Sequence, residues 1–269
     1  MELTGRVAVV TGGASGIGRA LALRFAEAGA RGVVVADLDA QAAEDVGRSI
    51  GARAIGVGCD VTDDGQVAGL LRQAEEAFGP VDVFCANAGV AYGTGLDAPA
   101  EEWDRVLDVN IRAHVIAARH LVPRWAERGE GYWVTTASAA GLLTQIGDAA
   151  YSVTKHAAVA FAEWLAVTYG DRGVRVSCLC PMGVNTPLLR GEAGQGQDAL
   201  SAKVVEAAGA VLEPEQVADS VVDAMRDERF LVLPHPEVLT FFQRKGTDYD
   251  RWLAGMRRLQ AGVAGGVSH

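Results

Sequence analysis

One α/β domain built on a doubly wound, seven-stranded parallel sheet is the architecture this sequence predicts, on three observations. Short apolar runs alternate with longer amphipathic ones along most of the chain, the pattern of a parallel sheet covered on both faces by crossover helices. The first apolar run, Arg6 to Thr11, passes through Gly12-Gly-Ala-Ser-Gly16-Ile-Gly18 directly into a helical stretch. No composition break, repeat or long linker divides the 269 residues, so a single domain is expected.

The elements follow in order. A helix over Arg19 to Ala28 leads to a strand from Gly32 to Ala36 that ends at Asp37. A helix at Ala40 to Ile50, a strand at Ala54 to Cys59 and a helix at Asp63 to Phe78 come next. Val81 to Cys85 is the fourth strand and runs into Ala86-Asn87-Ala88-Gly89. Asp97 is placed to cap the following helix, with Pro99 in its first turn. That helix carries Trp103 and Val106 to Asn110, and helical character continues to Arg128. Strands five, six and seven are Tyr132 to Thr136, Val174 to Cys180 and Phe230 to Leu233. Between the fifth and sixth lies a helix from Ala149 to Tyr169, apolar on more than one face, so it must be buried on two sides. One side covers the sheet and the other is expected to meet a second subunit.

Composition narrows the function classes. A net charge of −10 and a pI near 5 oppose general attraction to nucleic acid or to an anionic membrane. No apolar run approaches the length of a membrane span, and the N-terminus lacks a signal-peptide pattern. Cys59, Cys85, Cys178 and Cys180 lie in or at the ends of apolar runs. They read as buried, reduced thiols of a cytoplasmic protein, with no histidine or second cysteine pair to complete a metal site.

The chemistry concentrates in Val134 to Lys155. Ser138 falls where a strand gives way to a loop, and Tyr151 and Lys155 lie one helical turn apart on one face. The chain uses 21 arginines and three lysines. A lysine retained in so arginine-rich a chain suggests a need for a compact ammonium rather than a planar fork. A phenol beside that ammonium is expected to be held closer to its anion than its ordinary pKa allows, which suits acid–base work on an alcohol or a carbonyl. Upstream, the strand–glycine turn–helix at Gly12 to Gly18 is a phosphate-binding candidate. Asp37 stands 19 residues after Gly18, where a carboxylate accepts hydrogen bonds from ribose hydroxyls and repels a 2′-phosphate. The cofactor expected is NAD rather than NADP.

With these residues in place, the chain from about Leu3 to Leu233 resembles the short-chain dehydrogenase/reductase family. Thr11-Gly-Gly-Ala-Ser-Gly-Ile-Gly18 is similar to its cofactor loop, Asn87-Ala-Gly89 to its strand-four motif, and Asn110, Ser138, Tyr151 and Lys155 to its catalytic tetrad. The resemblance implies a Rossmann-like fold with Tyr151 as acid/base and Ser138 fixing the substrate oxygen. Lys155 would hold the nicotinamide ribose, and Asn110 would position a water in a proton relay. It also implies a cofactor site from Gly12, Ser15, Gly16, Ile17 and Gly18, then Asp37, Leu38, Asp60 and Val61. Asn87, Ala88, Gly89, Tyr151, Lys155, Pro181, Val184 and Thr186 complete it. Homodimers or homotetramers are common in that family. Two departures stand out. Met182 replaces a glycine in Pro181-Met-Gly-Val-Asn-Thr-Pro187, and Ala86 and Ala137 stand where Asn and Ser are frequent.

The expected substrate pocket is lined by Val90, Tyr92, Ala140 to Leu142, Gln145, Ile146, Met182, Leu188 and Leu189. With no arginine or lysine among these, a hydrophobic secondary alcohol or its ketone is favoured over an acidic metabolite. Residues near 184–212 read as a lid, with glycine-rich Gly191 to Gly196 as part of its mobile portion or, alternatively, as a plain surface loop. Residues 1–233 form the cofactor and catalytic body, and 234–269 a helical extension. In that extension Pro234-His-Pro236 stops the last strand. Tyr249, Trp252, Leu253, Met256 and Leu259 then recur at helical spacing, with Asp250, Arg251, Arg257 and Arg258 opposite. Such a helix needs a surface, its own body or a neighbouring subunit. An NADP-dependent reductase and a cofactor-binding sensor without turnover are the alternatives. Asp37 opposes the first, and the intact Ser138, Tyr151 and Lys155 oppose the second.

Overall fold

The protein is described by a computed structural model that covers residues 1–191, 204 and 209–264. Strands β1 (Val7–Thr11), β2 (Gly32–Asp37), β3 (Ala54–Gly58), β4 (Val83–Ala86), β5 (Gly131–Thr136), β6 (Val174–Leu179) and β7 (Leu231–Val232) form one sheet in the order β3-β2-β1-β4-β5-β6-β7. Every pairing is parallel. The order reverses between β1 and β4, and ligands of such sheets bind at the strand ends beside that reversal.

Strand alternation explains the two-sided core. Val7 and Val9 of β1 pack with Phe84 and Ala86 of β4 on one face. Ala8 and Val10 join Val83 and Cys85 on the other. The first face is covered by α3 (Asp64–Phe78), α5 (Ala113–Arg128) and α6 (Ala149–Tyr169), through Leu70, Leu121 and Leu165. The second is covered by α1 (Gly16–Glu27), α2 (Ala40–Ile50) and α8 (Pro214–Arg226), through Phe25, Val46 and Val221. A strand buried on both faces has no polar side to show, so β1 reads as an unbroken apolar run.

Predicted and observed bounds coincide for α2 and α6 and differ by a few residues elsewhere. Only Leu231 and Val232 of the expected Phe230–Leu233 strand pair with β6. Asp97 is not the cap of α4 (Ala100–Leu107). Pro99 takes that position with extended backbone at φ −64° and ψ 156°, a conformation its ring favours. From α4 the chain passes through one π-helical segment, Asp108–Arg112, into α5. Beyond β7 the extension folds into α9 (Glu237–Thr247) and α10 (Tyr249–Ala264), preceded in the chain by the short α7 (Pro187–Arg190).

Candidate active site

Along the C-terminal ends of the strands runs a cavity of about 1030 Å³. Its floor is the glycine loop. Gly12 adopts φ +61°, and a Cβ there would lie 2.9 Å from Ala88 Cα. At Gly18 a side chain would strike the Gly12 carbonyl and Asn87. Bare glycine lets the loop fold onto β4 and leaves its backbone open to a ligand. Thr11 stitches the two strands. Its hydroxyl donates to Cys85 O at 3.1 Å and accepts from Asn87 N at 3.0 Å. Asn87 Nδ2 donates to Thr11 O at 2.9 Å. α1 begins at Gly16 with no side-chain cap and no acidic residue in its first turn. Its free N–H groups are therefore suited to an anion.

Asp37, at the end of β2, accepts from Ala14 N at 3.0 Å and Asp39 N at 3.2 Å, which holds its carboxylate against the glycine loop. Asp60, after β3, accepts from Thr62 Oγ1 at 2.7 Å and lies 3.7 Å from Arg105. Burial pushes its carboxyl up, but the Thr62 hydrogen bonds and Arg105 outweigh it and the net shift is downward. All the sequence-predicted cofactor residues line this one cavity: Gly12, Ser15, Gly16, Ile17, Gly18, Asp37, Leu38, Asp60, Val61, Asn87, Ala88, Gly89, Tyr151, Lys155, Pro181, Val184 and Thr186. Glycine cradle, uncapped helix and terminal carboxylate together fit a dinucleotide.

Ser138, Tyr151 and Lys155 line the same cavity. Ser138 ends the β5 loop, where its Oγ accepts from Ala140 N at 3.1 Å and caps a turn of 3-10 helix. α6 presents Tyr151 and Lys155 from its first two turns, with Lys155 Nζ 5.4 Å from the Tyr151 ring centre. The ammonium donates to Thr136 O at 2.9 Å. Asn110 lies in the π-helical segment, fully buried. Its amide accepts from Val90 N at 2.8 Å and donates to Val90 O at 2.9 Å and Thr154 Oγ1 at 3.1 Å. The side chain thus fixes the strand-four loop, and an i to i+5 turn has reshaped the backbone around it.

The electrostatics correct one expectation. Tyr151 is not drawn toward its anion but pushed up to about 12 by burial, with hydrogen bonding to Ser138 acting the other way. Lys155 is pulled down to about 8, also by burial, with Cys180 and Cys178 opposing. Withdrawal from water disfavours the charged form of both groups.

Other expectations about the pocket also change. Val90, Ala140, Gln145, Met182, Leu188 and Leu189 line it. Of the rest, Leu142 packs into the main core and Tyr92 against Val106 and Ala150, while Gly141 is pressed on the Lys155 backbone and Ile146 is buried. The lining also contains two arginines absent from the expected pocket, Arg105 and Arg244. α9 and α10 fold over their own chain's cavity and contribute Phe241, Arg244, Trp252, Met256 and Leu259. Their anchor is Lys245, which is buried and donates to Leu142 O and Leu143 O at 2.8 Å each. His235 ties the Met182 loop, accepting from Met182 N at 3.2 Å through Nδ1 and bonding Ala210 O at 3.0 Å through Nε2. Most of the expected lid, including 192–196 of its glycine-rich part, lies outside the described residues. Asp148 was also missed. It caps α6 by accepting from Tyr151 N at 2.9 Å and also accepts from Gly93 N at 2.9 Å. An aspartate three residues before Tyr151 at a helix start is a cap signal that could have found it.

A cleft at the sheet reversal beside a buried Ser–Tyr–Lys group is a candidate site for a nucleotide-dependent oxidoreductase. Residues 6–195 match the family model described as short chain dehydrogenase. The chain is 40% identical over 246 residues to 1-deoxy-11-beta-hydroxypentalenate dehydrogenase of Streptomyces exfoliatus, covering 88% of this chain and 86% of that one. It is 35% identical over 235 residues to cis-4-hydroxycyclohexanecarboxylate dehydrogenase of Sinomonas cyclohexanicum, covering 85% and 92%. A crystal structure of a short-chain dehydrogenase/reductase from Burkholderia phymatum in complex with NAD superposes with TM-score 0.83 at 32% identity, over 93% of this chain and 96% of that one. The chain belongs to the short-chain dehydrogenase/reductase family and is an oxidoreductase of that family. No helix among the described residues is long and apolar enough to cross a membrane.

Proposed function

We propose that this protein oxidises an alicyclic secondary alcohol to its ketone, or runs the reverse reaction, with NAD as the hydride carrier. The observation that carries this reading is that Ser138, Tyr151 and Lys155 share one cavity with the glycine loop and Asp37. The nicotinamide of NAD supplies the hydride acceptor at the substrate's carbinol carbon. Tyr151 Oη takes the hydroxyl proton, or returns it in reduction. With its pKa raised to about 12, the phenol keeps its proton at neutral pH, which suits it as the acid. In oxidation the phenol must first release its own proton to solvent before it accepts the carbinol proton, and Lys155 is the adjacent cation that favours the intervening anion. Ser138 Oγ orients the substrate oxygen. Because the Asn110 amide is engaged with Val90 and Thr154, any water it positions is held by its main chain.

Asp37 supports NAD, since a 2′-phosphate would meet a carboxylate already fixed by two backbone N–H groups. The names of the two relatives above support an alicyclic alcohol, and the apolar lining from Leu143, Leu188, Phe241 and Trp252 accommodates one. The body at 1–233 supplies the cofactor and catalytic groups, and α9 and α10 of the extension complete the substrate pocket. Val153, Trp164 and Val167 on the outer side of α6 are exposed, which supports a homodimer or homotetramer through that helix. Four free, buried cysteines support a cytoplasmic setting. The test is a panel of alicyclic secondary alcohols with NAD and NADP, read by absorbance of the reduced cofactor. NAD should give the higher kcat/KM, and Asp37→Ala should narrow the preference. A native preference for NADP would refute the cofactor assignment, and no turnover with either would refute the reaction.

A further inference from the structure

Among the described residues three cations line the cavity: Arg105, Lys155 and Arg244. Arg105 is taken up by Asp60 at 3.7 Å, and Lys155 by the Thr136 carbonyl at 2.9 Å. The Arg244 guanidinium has no ion pair or hydrogen bond with any described residue. Its position is nonetheless set. The next residue, Lys245, is pinned to Leu142 O and Leu143 O and lies over the Trp252 ring at 5.0 Å. This holds α9 against the loop that joins Ser138 to Tyr151. The three lining carboxylates, Asp37, Asp39 and Asp60, all follow β2 or β3, on the opposite side of the sheet reversal from β5 and its loop. Charge is therefore segregated along the cavity, acidic toward β2 and β3 and basic under α9.

The other lining residues that the two C-terminal helices contribute are apolar, Phe241, Trp252, Met256 and Leu259, and so is Leu143, the residue whose carbonyl holds Lys245. Arg244 is exposed at the cavity rim, and a purely apolar substrate seated there would cover part of its guanidinium and offer it no hydrogen bond. A carboxylate at the same place would meet it through two parallel hydrogen bonds. We propose that Arg244 receives a carboxylate of the substrate. The substrate is then a hydroxy acid whose apolar skeleton separates that carboxylate from the carbinol presented to Ser138 and Tyr151. This rests on the alcohol–ketone reading above and names its substrate class.

The test compares 4-hydroxycyclohexanecarboxylate with its methyl ester, which keeps the ring and hydroxyl and removes the charge. The unmodified protein should favour the acid by about 10- to 100-fold in kcat/KM, the range of a charge-assisted hydrogen bond, chiefly through KM. In Arg244→Gln the ratio should fall toward one, and Arg244→Lys should restore part of it. Calorimetric titration of the NAD-loaded protein with cyclohexanecarboxylate reads the same contact without turnover. Binding that depends on Arg244 while neither alcohol is oxidised would sink the reaction reading and leave this one standing. An acid-to-ester ratio or a carboxylate affinity equal in protein and variant overturns the assignment. So does a variant whose main loss is in NAD binding, which would transfer Arg244 to the cofactor.

Discussion

Lysine is scarce in this chain, and the two described ones, Lys155 and Lys245, are both buried on backbone carbonyls. A compact ammonium can enter such a carbonyl site where a guanidinium is too wide. Burial lowers Lys155 to about 8 from its ordinary 10.5. Between these values the unfolded chain carries a proton that the folded chain has lost, so the Lys155 contribution to stability rises with pH across that window. The thiols of Cys59 and Cys85, raised by burial, and of Cys178, raised by its contact with Cys180 and by burial, contribute with the opposite sign. Urea unfolding at about pH 8 and about pH 10 should therefore show a stability difference between the protein and Lys155→Met that moves in favour of the protein as pH rises. Equal pH responses would contradict it. Tyr151→Phe keeps the buried ring and removes the transferable proton. Turnover should fall by about 10²–10⁴ or more, with NAD affinity by calorimetry little changed; near-normal turnover would remove Tyr151 from the proposed role. The sequence made Tyr151 and Lys155 legible because their separation is one helical turn, and Ser138 because it falls where the β5 run gives way to a loop. Arg244 was not legible, since its approach to the cavity depends on contacts about a hundred residues away in the chain.

Helix α6 carries Tyr151 and Lys155, the pair proposed to act in the reaction, and its first turn depends on Asp148. One carboxylate caps the helix at Tyr151 N and also holds Tyr92 N at 3.3 Å and Gly93 N at 2.9 Å. Asp148→Ala should therefore cost about 2 kcal/mol or more, above an ordinary cap, because three N–H groups lose their acceptor together. Chemical denaturation measures that loss, and a cost within a few tenths of a kcal/mol would show that other groups satisfy the donors. Bounds of α2 and α6 match the expectation, which did not rest on the aspartate caps, Asp39 and Asp148, that open the two helices. The π-helical segment at Asp108–Arg112 was not legible. One extra residue per turn leaves no periodic mark, and it persists because Asn110 is held by Val90 and Thr154.

At the scale of the whole chain, the extension is a wall of the site. Ending the chain after Asp248 removes α10 with Trp252, Met256 and Leu259, while leaving the buried Val238 and the Lys245 anchor. KM for an alicyclic alcohol should rise at least about tenfold, since losing even ~1.5 kcal/mol of apolar contact has that effect. NAD affinity should be largely kept. A truncated protein with unaltered KM would show that α10 does not contact substrate.

The order of strands and helices, the glycine loop, the carboxylate that ends β2 and the Ser–Tyr–Lys spacing were all determined by the sequence. These are local matters of alternation, glycine and helical repeat, and they need only neighbours in the chain. The tertiary structure alone decided what faces the cavity from afar. It brought α9 and α10 over the site and set Arg244 at its rim. It turned Leu142 into the core while Leu143 lines the cavity. It also raised the Tyr151 phenol instead of lowering it. The physical reason is common to all of these: burial is summed over every element that packs on a residue, and most of those elements are distant in sequence.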